Sequence, residues 1–190
     1  MTELAILLPL VAFVALAALS AIVLRRAGGI VARTREVEGF RGSVRDLAAR
    51  VDTSLEGATG RIDAVRRGQA AADTIGLTIE AATDAVERYA EEARAFHGPP
   101  QVQAIRDDIV SDLERATRAL QTIDHGATIL SRVRRGDREL EAQTALKRGY
   151  LNLIHAREAI ARHAQRVDDL EVSVDPGGRN AVISMREPRS

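Results

Sequence analysis

The sequence has no cysteine and no tryptophan, and aromatic residues fill only 3% of its 190 positions. Without cysteine there is no disulfide framework, no thiolate nucleophile and no thiolate ligand for zinc or an iron–sulfur cluster. Net charge is lacking too. Twenty-seven basic and 27 acidic residues cancel, so the chain as a whole has no pull toward nucleic acid. Lysine occurs once, at Lys147, and arginine carries the rest of the positive charge. No Gly-x-Gly-x-x-Gly, Gly-x-x-x-x-Gly-Lys or Gly-x-Ser-x-Gly is present, which removes the common phosphate-cradling loops and the nucleophile elbow. Scarce aromatics beside much Ala, Leu, Arg and Glu predict helices rather than a β-rich core.

Residues 4–24, LAILLPLVAFVALAALSAIVL, are 21 positions without a charge. A bilayer core of about 30 Å needs about 20 apolar residues at ~1.5 Å each. A cleaved signal peptide would carry a basic start and a shorter apolar core. Here Met1-Thr2-Glu3 has no basic residue and Arg25-Arg26 follow the run directly. An uncleaved anchor is therefore expected. Arg25, Arg26, Arg33 and Arg35 flank its C-terminal side, and the positive-inside rule places the body in the cytoplasm. The expected layout is an extracytoplasmic stub at 1–3, a transmembrane helix at 4–24 and a basic juxtamembrane linker at 25–36. Residues 25–50 hold seven Arg against three acidic side chains, a balance that also suits anionic headgroups. Gly28-Gly29 reads as a flexible joint.

Beyond the joint the period is helical. Val37, Phe40, Val44, Leu47 and Val51 recur at steps of three and four, and Leu55 adds a further step of four, a stutter. A seam then runs in steps of three and four through Ala58, Ile62, Val65, Gln69, Ala72, Gly76, Ile79, Thr83 and Val86, as in a coiled coil. The spacing predicts one long coiled-coil helix over 37–97. Its weakness is small residues: six glycines fall within 39–76, each costing about 0.8–1.0 kcal/mol relative to Ala inside a helix. Such a helix depends on partners. His97, Gly98, Pro99 and Pro100 mark a turn, since Gly favours the position past a helix end and Pro the first turn of the next.

Residues 101–171 read as a helical return segment; at 135–137 Arg135-Gly136-Asp137 shifts the phase, either as a turn between two helices or as an irregularity within one. Residues 172–190 read as a tail, or as a small β-hairpin about Asp175-Pro176-Gly177-Gly178. The fold class is thus all-α: one N-terminal transmembrane helix, then an elongated cytoplasmic coiled coil or helical hairpin.

Chemistry-bearing clusters are poor. His155 and Glu158 share a helix face, but in the reverse of the di-iron order and without a repeat. Asp107-Asp108, Glu91-Glu92 and Asp168-Asp169 are adjacent pairs, which point apart on a helix. No catalytic residue, cofactor, metal, nucleic-acid partner or small-molecule substrate is expected, and the chain reads as a non-enzyme. Charge is segregated instead. Residues 73–92 hold six carboxylates against one Arg, and residues 132–148 hold six cations against three carboxylates. These patches could meet along the body or between protomers. The expected partners are the lipid bilayer and either a second copy or another helical protein. The expected function is a membrane-anchored scaffold or tether acting by helix–helix contact. The alternative is an accessory or transducer subunit of a membrane signalling or rotary-ATPase-like complex.

Overall fold

The computed structural model describes residues 2–132, 138–174 and 181–185, with side chains for 16, 18–21, 31–132 and 138–170. Four long helices account for most of it: α1 Thr2–Arg66, α2 Gly76–Arg94, α3 Gln103–Arg132 and α4 Glu139–Asp168. Strands β1 Leu170–Val174 and β2 Ala181–Met185 pair antiparallel, Leu170 opposite Met185 and Val174 opposite Ala181. The expected turn between them, 175–180, lies outside the described residues, as does the turn or irregularity expected at 135–137.

The last half of α1 packs with the other three helices as an antiparallel bundle, α1–α2–α3–α4 in cyclic order. Short loops between successive helices enforce this up-down-up-down course. The pairings fix the directions. Glu92, Tyr89 and Thr78 of α2 meet Arg50, Ser54 and Arg61 of α1. On the other flank, Asp168 and Arg157 of α4 meet Arg45 and Asp52 of α1.

The long helix expected over 37–97 is broken in two. Gly68 has φ +72°, its N–H donates to the Val65 carbonyl at 2.9 Å, and the Gln69 N–H donates to that of Ala64 at 2.8 Å. This is the double bond of a Schellman stop, with Gly in the left-handed position that L side chains avoid. A 3-10 turn, Ala72–Ile75, leads into α2. The heptad pattern through Gln69 and Gly76 is fortuitous, because both residues are exposed. A bundle is also the better solution for this composition: a single rod would leave its apolar stripe in water, whereas folding back buries it against the chain's own helices. At the other expected turn, α2 ends at Arg94 and a 3-10 turn, Pro100–Val102, precedes α3.

Gly28 and Gly29 do not form a joint; α1 is helical through both. Extending an established helix adds one hydrogen bond per residue, which offsets the ~1 kcal/mol handicap of Gly. α3 and α4 approach closely where both carry glycine. A Cβ on Gly126 would stand 2.9 Å from the Ala142 carbonyl oxygen, and one on Gly149 would stand 2.9 Å from that of Ala119.

Candidate functional site

The eight seam residues face inward. Val44, Leu47, Val51, Leu55, Ile62, Val65, Ile79 and Val86 are all buried, and all belong to the bundle's own core. Helix–helix recognition along this seam therefore takes place within the chain, and a partner must use other surfaces.

The turn residues sit at the end of the bundle nearest the apolar run. The rings of Phe40 and Phe96 meet edge-to-face at 6.2 Å. A Cβ on Gly98 would stand 3.2 Å from the Phe40 ring and 2.6 Å from Val102, so Gly98 is required by close approach. Pro99 is buried, His97 and Pro100 are exposed, and Pro100 opens the 3-10 turn. At this same end Arg41 ties three elements together. It donates to the carbonyls of Val167 (3.2 Å) and Leu170 (2.6 Å) and pairs with Glu38. Arg33 and Arg35 lie on α1 just before Val37, its first buried residue among those described. The side chains of Arg25 and Arg26 lie outside the described residues.

Among the described residues the bundle interior holds a polar pair for which sequence reasoning gave no role. Nε2 of His163 lies 2.9 Å from Oδ2 of Asp112, with both side chains buried. Arg115 pairs with the other carboxylate oxygen at 2.7 Å. Facing a carboxylate oxygen, which accepts, Nε2 is the donor of this bond. The ring's Nδ1 is buried without a hydrogen-bond partner among the described residues. A cleft of about 320 Å³ beside the pair is rimmed by Arg115, Arg162 and Arg166. Each guanidinium already faces a carboxylate: Arg166 is 3.7 Å from Asp108, and Arg162 is 3.8 Å from Glu158. This charge-compensated cluster ties α3 to α4. Among the described residues no group of His, Asp or Glu is arranged to hold a metal, and His97, His125 and His155 are exposed.

The sequence did carry a signal for the pair. Ala142, Leu146, Gly149, Leu153, Ala156, Ile160, His163 and Val167 are the buried positions of α4 in steps of four and three, with Ala159 buried beside them. His163 occupies a core position of that frame. Asp112 likewise follows Ile109 by three.

Outer ion pairs stitch α1 to its neighbours. Arg50 bonds Glu92 on α2 and lies 5.2 Å from the Tyr89 ring; its pKa is raised, chiefly by the Glu92 hydrogen bond. Arg157 of α4 donates to Asp52 at 2.6 Å, and that bond raises its pKa. Among the described residues no ion pair joins the two charge patches. α2 and α4 each pack on α1 and α3 and so occupy opposite corners. The α2–α3 groove, with a volume of about 490 Å³ at the Gly76 end, gathers Glu80, Asp84 and Asp124.

No protein-family model, curated protein or solved structure matches the chain. Its class is defined by architecture: a mainly helical protein whose body is an antiparallel four-helix bundle, followed by one antiparallel strand pair and entered by a helix that begins well outside it.

Proposed function

We propose that the protein is a single-pass membrane-anchored scaffold or tether, with residues 4–24 in the bilayer and the four-helix bundle presented on the cytoplasmic face. The observation that carries this reading is the course of α1. One unbroken helix joins the charge-free run to the bundle, and Leu16 and Leu19 of that run are 67% and 65% exposed. Leucines exposed in this way on an apolar helix are stable in hydrocarbon and poorly stable in water. Among the described residues no helix is long and apolar enough to cross a membrane; most side chains of 4–24 lie outside them, so the reading rests on the sequence of the run and the exposure of its two leucines.

The absence of a joint at 28–29 favours one second reading, a transducer subunit. A continuous helix passes rotation or displacement from the bilayer to the bundle, which a flexible linker would absorb. A rotary-ATPase stalk fits less well, because the chain folds back after Arg66.

The test uses the full chain expressed in cells. Membranes washed at high pH should retain it, and a Gln121→Cys variant should react with an impermeant maleimide only after lysis. Extraction by the wash would remove the anchor, and labelling of intact cells would reverse the topology.

A further inference from the structure

α2 and α4 both present an outward strip that the chain leaves uncovered. On the α2 side, Asp73, Leu77, Glu80 and Asp84 follow at steps of four, three and four, all exposed, with Leu77 at 83%. On α4, Leu140, Lys147 and Leu151 recur at steps of seven and four; Leu140 is 75% exposed and Leu151 44%. At ~100° per residue these three fall within about 40° of one another, with Arg148 alongside. One strip is a leucine between carboxylates; the other is a lysine between leucines, with Arg148 about 80° round the helix from Leu140, on the strip's flank. None of these charged side chains has an ion pair among the described residues.

The strips also stand at one height. Arg61 of α1 bonds Thr78, next to Leu77. Arg66 of α1 lies over the Tyr150 ring, next to Leu151. The two α1 levels are five residues apart, or about 8 Å. α2 and α4 both run opposite to α1, hence parallel to each other.

We propose that the strips are the two halves of a head-to-tail contact between copies of this chain. α4 of one copy lies along α2 of the next, Leu77 sits between Leu140 and Leu151, Lys147 faces Asp73, and Arg148 reaches Glu80 from the flank. Sideways translation alone brings the halves together and keeps every copy upright. That is the geometry available to copies anchored through one helix in one bilayer, and in this respect the contact rests on the anchor proposed above. A heterologous contact made by translation does not close, so rows extend. Exposed ion pairs contribute little singly, and confinement to a surface supplies the effective concentration the contact needs.

The chain has no native cysteine, so a Glu80→Cys/Arg148→Cys variant reports this contact alone. The full chain is reconstituted in phosphatidylcholine vesicles and oxidised. A ladder of dimer, trimer and higher species is expected from the double variant and not from either single variant. Adding Lys147→Glu should lower the ladder about tenfold through like-charge repulsion, and Asp73→Lys should restore it. Vesicle flotation on the same sample separates the two proposals. Chain that floats without a ladder overturns the contact and leaves the anchor standing, as does a dimer from a single-cysteine variant, which marks a symmetric interface. Chain that fails to float overturns the anchor. The ladder is then read in concentrated solution, where its presence supports the contact and its absence overturns it.

Discussion

A Cβ on Gly149 would stand 2.6 Å from Cγ1 of Ile123 and 2.9 Å from the Ala119 carbonyl oxygen, whereas one on Gly60 would meet nothing within 4 Å. The same substitution should therefore change sign between the two sites. Ala gains about 1 kcal/mol over Gly in a helix, and at Gly60 nothing opposes that gain. At Gly149 the new methyl presses on backbone of α3, and overpacking costs about 1–3 kcal/mol. Urea unfolding should show Gly60→Ala more stable by about 1 kcal/mol and Gly149→Ala less stable by about 1–2 kcal/mol. A neutral Gly149→Ala would mean that α3 and α4 can separate freely. The α4 frame was hard to read for the same reason. Leu140 and Tyr150 look like core residues, but Leu140 is exposed and Tyr150 only half-buried. The buried frame runs through Ala142, Gly149 and Ala156, whose small size marks close helix approach and is easily mistaken for weak hydrophobicity. His163 sits in that frame between Ile160 and Val167, a polar residue at a core position.

At the scale of elements, periodicity located the apolar stripes and missed where one of them stops. Arg66-Arg67-Gly68 is a helix-stop signal, cations in the last turn and then glycine, but a heptad that stayed in register through Ala72 and Gly76 obscured it. Gly68→Val should destabilise the bundle by about 1–2 kcal/mol, because a side chain in the left-handed region is strained. Gly68→Asn should lose clearly less, and equal losses in thermal melts would argue against the conformational cause. The same helix end predicts a pH effect. The Arg66 guanidinium hydrogen-bonded to Asp63, with Arg67 alongside, holds the Asp63 carboxyl below its ordinary 3.8. A depressed folded value stabilises the protein above the unfolded value, and this contribution is lost as pH falls through the folded one. Asp63→Asn should therefore be less stable than the parent at pH 6. The gap should close as the pH is lowered beneath 3.8, read from urea midpoints across that range. A constant gap would assign the loss to packing.

For the whole molecule, α1 carries two unlike stretches on one unbroken course, a charge-free run and a bundle helix, and their boundary is legible in the sequence. The charge-free run ends at Leu24, and the first buried residue described is Val37. What composition could not convey was which surfaces remain once the seam is consumed internally. That depends on α2 and α4 occupying opposite corners, a consequence of three turns acting together. The division predicts that anchoring and folding can be separated by mutation. Leu16→Arg with Leu19→Arg places two charges in the run, each opposing insertion by about 2.5–3.5 kcal/mol near a span's centre. Both leucines are exposed and touch none of the bundle core. The doubly substituted chain should leave the membrane fraction in flotation while its bundle melts at the parent's temperature in detergent. Retention in the membrane would mean that the bundle or the arginines of 25–50 hold the bilayer without the span. A lowered melting temperature would mean that the run packs on the body, and the single helix drawn from Thr2 to Arg66 would then have to bend back toward it.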